Sequence, residues 1–226
     1  MEKMPKIDTL IISDVHCGLG AARIEEVTAL LEKRDFKRLI LLGDILHTTN
    51  LRKIKARDFS FLKALRLLGE EESGVEVVWV AGNHDIALSG NTAFFGIPVT
   101  REYEWEEGGV RHLALHGDSL YDFTTEPGVL GLLYLGAEWL LIWSGGRKAG
   151  QFFKNTIAMK RPSETLKVRA IAYGKKKGVG RIFCGHTHIE MHASNDGVEY
   201  WNAGTWLDEP SPYIAITDGK VEIRYA

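Results

Sequence analysis

The sequence predicts a layered α/β domain, with two sheets packed between helices. Three observations carry that prediction. Apolar, β-branched runs alternate with helix-periodic segments as far as Gly82, the pattern of βαβ crossovers and a largely parallel sheet. Each run stops at a small or polar residue of the kind that ends a strand at a ligand site. From Ile189 onward the chain returns to alternating segments broken by Asn195-Asp196-Gly197 and Asp218-Gly219, which read as hairpin turns.

Residues 7–13 form the first buried strand and end at Asp14. Ile24, Val27, Leu30 and Leu31 then recur at helical spacing, and residues 38–43 (RLILLG) are a second buried strand that ends at Asp44. The pattern repeats with Phe59, Leu62, Leu65 and Leu68 on a helix and residues 75–81 (VEVVWVA) as a third strand before Gly82-Asn83. Past about residue 97 the texture changes. Residues 110–115 and 181–184 are further short strands, separated by a long insertion. Residues 127–177 of that insertion carry Leu, Trp, Phe and Ala at helical spacings, with Pro162-Ser163 as a stop and restart, and are expected to form a basic helical cap. With no repeat and no linker, residues 1–226 are read as one domain.

With 226 residues, 45% hydrophobic and only six prolines, the chain can bury a sizeable core, which excludes disorder, collagen and a disulfide-stapled mini-protein. Cys17 and Cys184 lie far apart, and the apolar run near the start is too short for a secretory leader, so a reducing cytoplasm is expected. The net charge of −2 argues against a dedicated nucleic-acid binder, but it hides an uneven distribution. Between Arg147 and Arg181 stand 11 Lys/Arg and one acid, Glu164, a local charge of +10 that leaves −12 for the rest. An apolar run of fifteen residues, 129–143, borders this stretch; as a helix it would span about 22 Å, short of a bilayer core of about 30 Å. The pairing suits an anionic lipid partner or peripheral contact with an anionic inner membrane, whereas the run alone reads as a buried helix.

Ligand-type residues collect at five strand ends: Asp14-Val15-His16, Gly43-Asp44, Gly82-Asn83-His84-Asp85, His116-Gly117-Asp118 and Gly185-His186-Thr187-His188. In an extended segment residues two apart point the same way, so Asp14 with His16, and His186 with His188, are expected to form two-toothed clamps. Seven candidates converge: Asp14, His16, Asp44, Asn83, His116, His186 and His188. That number suits two metal ions sharing a bridging carboxylate better than one ion with an open position. The mix of imidazole, carboxylate and amide fits manganese foremost, with iron or zinc as alternatives.

The order D-x-H, G-D, G-N-H-D, H-G-D, G-H-T-H, from Asp14 to His188, resembles the calcineurin-like metallophosphoesterase superfamily. The resemblance implies a four-layered α/β-β-α core. It also implies one metal on Asp14, His16 and His188, a second on Asn83, His116 and His186, and Asp44 bridging both. Within the superfamily the chain is similar to UDP-2,3-diacylglucosamine pyrophosphatases of lipid A synthesis, although His84 stands where their best-known members place Arg. Asp44 is followed by Ile-Leu-His-Thr-Thr-Asn, unlike the longer block of the protein Ser/Thr phosphatases.

The expected activity is hydrolysis of a phosphate ester or pyrophosphate, with a UDP-sugar lipid as leading substrate and a soluble nucleotide phosphodiesterase or phosphomonoesterase as alternative. A scaffold that kept the fold and lost its metals would show missing ligands. His84 is the candidate acid at the leaving oxygen, with Asp85 orienting its ring. Arg147, Lys148, Lys154 and Trp139 of the cap are candidate substrate contacts. His47 reads as a solvated loop position, His112 as a surface or packed residue and His192 as structural.

Overall fold

The computed structural model describes residues 7–33, 35–48, 50, 52, 54–90, 93–121 and 157–226. The apolar runs of the first half build one sheet. Strands β1 (Ile7–Ile12), β2 (Phe36–Leu42) and β3 (Glu76–Val80) lie parallel, with Leu10 beside Leu39 and Leu39 beside Val77. Helices α1 (Ile24–Glu32) and α2 (Phe59–Leu68) supply the crossovers. The sheet continues past β3 into β5 (Ile97–Thr100), parallel, and β4 (Ala93–Phe94), antiparallel; past β1 it continues into the antiparallel hairpin of β11 (Pro212–Thr217) and β12 (Lys220–Tyr225). The second sheet has the order β6-β7-β8-β10-β9, from Glu102–Glu107, Val110–Leu115, Arg181–Cys184, Val198–Asn202 and Met191–Asn195. Its strands β7, β8 and β10 are parallel.

Side-chain alternation on the strands sorts the core into three apolar layers. Leu10, Leu39, Leu41, Val77 and Trp79 face outward against Ile24, Val27 and Leu31 of α1 and Phe61 and Leu65 of α2. Their alternates Ile11, Ile40, Leu42 and Val80 face the second sheet, where they meet Trp105, Ala114, Phe183 and Trp201. Leu113, Leu115, Ile182 and Tyr200 point to the far side, onto Leu166, Ala170 and Ile171 of helix α3 (Ile157–Lys177). Helix, sheet, sheet and helix are thus the four layers expected from the motif order.

Two expectations change. Residues 157–177, assigned to a cap, form the fourth layer of the core, and residues 127–156, with Trp139, Arg147, Lys148 and Lys154, lie outside the described residues. Pro162 is no stop either, since it lies inside α3. A proline there removes one i→i−4 hydrogen bond, and the burial of Ser163, Leu166, Ala170 and Ile171 over the next two turns offsets that loss. Gly174 lets the helix sit close to β10, because a Cβ would reach 3.0 Å from Val198 Cγ1. No helix among the described residues is long and apolar enough to cross a membrane.

Candidate metal centre

Parallel pairing places the ends of β1, β2 and β3 at one edge, and the ends of β7 and β8 face them from the second sheet. Asp14 N donates to Gly43 O at 3.0 Å and His16 N to Asp44 O at 2.9 Å, so the first two loops run on as a short ladder beyond the strands. Gly185 N donates to His116 O at 2.9 Å in the other sheet. At this edge the sheets are joined by His186 N, which donates to Asp14 Oδ2 at 3.1 Å, and by His116 Nδ1, which donates to Leu42 O at 3.0 Å.

The loops are strained where the ligand candidates sit. Asp14, His16, Asp44, His186 and His188 all have φ between 50° and 68°, in the left-handed region that non-glycine residues rarely occupy. Such strain persists only where surrounding contacts over-determine it, and it clusters at functional sites. The extended-segment argument therefore holds for one clamp and fails for the other: Asp14 and His16 do share a ligand group. His186 and His188 do not clamp together: His188 joins Asp14 and His16, whereas His186 joins Asp44 and His116, with one ligand-type atom from each residue within 4.8 Å of its partners.

Three spacings within the triads fit metal coordination, and Asp14 Oδ1 to His16 Nε2 is wider at 3.8 Å. Asp14 Oδ1 lies 3.1 Å from His188 Nε2, His16 Nε2 lies 3.2 Å from His188 Nε2, and His116 Nε2 lies 3.2 Å from Asp44 Oδ2. Ligands bonded at about 2.0–2.2 Å to one ion lie roughly 3.0–3.5 Å apart in octahedral or tetrahedral arrangements. Asp14 Oδ1 and His116 Nε2 are buried and lie at these short distances from His188 and Asp44 without well-directed hydrogen bonds, an arrangement a shared cation would stabilise.

Electrostatics agree with this reading. Burial pushes the Asp44 carboxyl up, but the neighbouring imidazoles, His116 first, outweigh it and hold Asp44 well below the ordinary range. Asp14 is lowered in the same way against its own burial, by His116 and His188. Burial brings His16 down to about 3 and His186 down to about 4, leaving both as neutral ligands. His116 rises to about 10 because Asp44 and Asp14 overcome its burial. The two carboxylates thus demand positive charge at His116, which a divalent ion supplies in place of the proton.

Gly82 and Gly185 leave room for the carboxylates. A Cβ on Gly82 would collide with Asp44 Oδ1, and one on Gly185 with Ser13 Oγ and Asp14 Oδ2.

Other predicted residues sort unevenly. Asn83 is exposed at its turn. His84 N donates to Asp44 Oδ1 at 2.9 Å, and His84 Nδ1 lies 3.1 Å from His47 O, so that nitrogen carries the proton. Asp85 does other work than orienting the ring of His84. Its buried carboxylate accepts from Gly82 N at 2.6 Å, Ile45 N at 2.9 Å and Trp79 Nε1 at 3.2 Å, tying the second and third loops together. Burial and the Asp44 charge raise Asp85 to about 6.

His47, read as a solvated loop position, stacks on His84 with ring centroids 5.0 Å apart. The run of three residues from Asp44 was its only signal in the sequence. Sequence reasoning also missed Arg101, which donates to Ala81 O at 2.7 Å and Asp118 Oδ2 at 2.6 Å and so braces the third loop against the fourth. Thr205 Oγ1 and Trp206 N both donate to Asp14 O, closing residues 202–206 over the first loop.

The family model described as calcineurin-like phosphoesterase matches residues 7–190, a span that contains every one of these loops except the closing segment. The chain belongs to the calcineurin-like phosphoesterase family. Among solved structures, Vps29 from Chaetomium thermophilum superposes with a TM-score of 0.51 at 11% identity, covering 99% of this chain and 96% of that one. An archaeal phosphodiesterase gives 0.49 at 12% identity, with 96% and 99% covered. Vps29 from Entamoeba histolytica complexed with Zn²⁺ gives 0.46 at 13% identity, with 96% and 97% covered. The first of these likenesses establishes the shared fold alone. A search of curated proteins returned no match. Family members work with a dimetal centre, and the donor set of this chain, two buried carboxylates among imidazoles, fits such a pair.

Proposed function

We propose that the chain is a dinuclear metal-dependent hydrolase of a phosphate ester or pyrophosphate. The observation that carries this reading is the pair of triads, Asp14–His16–His188 and Asp44–His116–His186, whose largely buried carboxylate and imidazole atoms lie within 4.8 Å of one another in each set. Asn83 completes the second set and Asp44 bridges the two. Manganese leads, with iron and zinc as the other fits. The bound ions supply charge neutralisation of the phosphoryl oxygens and a nucleophile active at neutral pH.

This chain's own residues do the rest. His84 Nδ1 is held by His47 O, so Nε2, 4.0 Å from Asp44 Oδ2, is the nitrogen turned to the site, and in the imidazolium form the ring donates its Nε2 proton to the departing oxygen and is left neutral with its remaining proton on Nδ1. Asp85 and Arg101 act through others, by holding the loop that carries Asn83 and His84. A scaffold without chemistry would show gaps in the ligand set, and all seven candidates are present.

For the substrate we carry a lipid-linked UDP-sugar pyrophosphate, worked on at an anionic membrane surface in the cytoplasm. It rests on the sequence alone: the +10 stretch beside fifteen apolar residues, with Arg147, Lys148, Lys154 and Trp139 as contacts. The alternative is a soluble nucleotide phosphodiesterase or phosphomonoesterase. The test is metal analysis of wild type and Asp44→Ala with a panel of UDP-diacylglucosamine, bis-p-nitrophenyl phosphate and p-nitrophenyl phosphate. Loss of bound metal together with nearly all hydrolysis is expected in the variant. Normal turnover with both metals retained would sink the dinuclear reading.

A further inference from the structure

The parting of His186 and His188 has a local cause. Thr187 N donates to Gly185 O at 2.8 Å, two residues back, and His186 between them has φ 68°. A bond of that span around a positive φ makes the rarer and more strained of the two γ-turns. In an extended segment residues two apart share a face, whereas across this turn His186 joins Asp44 and His116 while His188 joins Asp14 and His16. Asn202, fully buried at the end of β10, reaches the carbonyl that closes the turn. Its two amide protons go to Gly185 O at 2.7 Å and Tyr200 Oη at 3.1 Å, with Thr187 Oγ1 beside them at 3.3 Å. Its Oδ1 accepts from Gly204 N at 2.9 Å, which fixes the orientation of the amide.

We propose that Asn202 is a positioning residue for the metal centre: it holds Gly185 O in the γ-turn and so delivers His186 to the group of Asp44 and His116, apart from His188. Strained backbone persists only where surrounding contacts over-determine it. Without the amide donor, the buried Gly185 carbonyl keeps only the bond from Thr187 N, the loop relaxes toward extended backbone, and His186 leaves its group. His188 lies beyond the turn and stays with Asp14 and His16. The assignment rests on the dinuclear reading of the site.

The test makes Asn202→Ser and Asn202→Ala in the full-length protein. Serine keeps an acceptor for Gly204 N, in the manner of an ST turn, but has no amide to reach Gly185 O; where Asn202→Ala melts below the assay temperature, Asn202→Ser alone decides. Manganese is titrated by equilibrium dialysis and followed by electron paramagnetic resonance, with no substrate present. Wild type is expected to bind two ions with the spectrum of a coupled pair. The variants should bind the second ion about 10- to 100-fold more weakly, as loss of a residue that orients a ligand does, and show isolated Mn²⁺ at concentrations that fill the wild-type pair. Ile171→Ala, in the layer of α3, is the control for general loosening: it should lower Tm and keep the pair. A coupled pair in Asn202→Ser overturns the role of Asn202, as does loss of both ions together or loss of the pair in Ile171→Ala. A wild type that binds no Mn²⁺ pair overturns the dinuclear reading and this assignment with it.

Discussion

Gly82→Ala isolates the packing of the bridging carboxylate from its chemistry. Gly82 has no left-handed φ, so alanine fits the backbone, and the whole effect comes from where its Cβ would lie: against Asp44 Oδ1, 2.6 Å from Asp44 N and 2.9 Å from Asp44 Cγ. Neither neighbour yields easily. Asp44 Oδ1 accepts from His84 N, Oδ2 lies 3.2 Å from His116 Nε2, and the Asp44 main chain is bonded to His16 N. Overpacking of this kind costs about 1–3 kcal/mol, and for a chain of this size each kcal/mol lowers Tm by roughly 2–4 °C. A ligand displaced by about 1 Å costs on the order of 10²-fold in rate. The control is Gly20→Ala, whose Cβ would meet only Lys55 Nζ at 3.7 Å. There, stability should hold or rise by about 0.4–1 kcal/mol through the unfolded chain. The assay pairs thermal melts with metal content and kcat on bis-p-nitrophenyl phosphate. Wild-type kcat and metal content in Gly82→Ala would refute the placement of Asp44.

Three further outcomes are expected. His84→Ala should damage hydrolysis of alkyl phosphate esters, whose leaving oxygen needs a proton, by ~10² to 10⁴-fold, and damage cleavage of a pyrophosphate or activated ester much less; equal losses would assign His84 to holding the loop. His112 lies buried between Trp105 and Phe183, so His112→Ala should leave kcat intact while costing roughly 2–4 kcal/mol, as other buried large-to-small changes do. Burial lowers the His112 pKa, so its contribution is complete above the unfolded value of about 6.5 and is lost as pH falls below it; denaturant titrations of His112→Leu should show a flatter acid limb than wild type, and parallel limbs would exclude this group. Trp139→Ala combined with Arg147→Glu should raise KM for a diacylated UDP-sugar and spare bis-p-nitrophenyl phosphate; equal effects on both would remove the lipid reading.

The ligand loops were legible in the sequence because they fall at strand ends, and strands β1, β2, β3, β7 and β8 are apolar runs with clear stops. Their backbone was not legible. Period-two reasoning presumes extended residues, whereas Asp14, His16, His186 and His188 adopt left-handed φ; Asp14 and His16 still meet in one triad, but His186 and His188 go to different ones. Strand β6 (EYEWEE) was missed for another reason: only Trp105 of its six residues is buried, so its apolar signal is two aromatics among acids. His47 and Arg101 act through contacts across 37 and 20 residues, and nothing local marks them.

Helix α3 shows how a charge run can be misread. Its lysines and arginines suggested an anionic partner, yet many of the described ones meet partners within the fold. Lys167 pairs with Glu164, Lys175 with Asp196 and Lys177 with Glu102, Arg169 donates to Leu120 O, and just past the helix Arg181 of β8 pairs with Glu199. Pairs this exposed contribute little to stability, but Asp196, Glu102 and Glu199 stand opposite Lys175, Lys177 and Arg181 and offset three charges of the +10 locally, Glu164 being already counted in it. The helix's buried side, Ser163, Leu166, Ala170 and Ile171, repeats at three- and four-residue spacing. That spacing, rather than the charge count, is what distinguishes a core layer from a cap. The electrostatic proposal for a phosphate-bearing lipid then centres on Arg147, Lys148 and Lys154, where salt offers a direct discriminator. Contacts exposed to solvent weaken as the Debye length falls from about 10 Å at 0.1 M to about 3 Å at 1 M, so added salt should raise KM for the lipid substrate and leave bis-p-nitrophenyl phosphate unaffected. An identical salt response for both substrates would place the cationic requirement at the metal centre and remove these three residues from substrate binding.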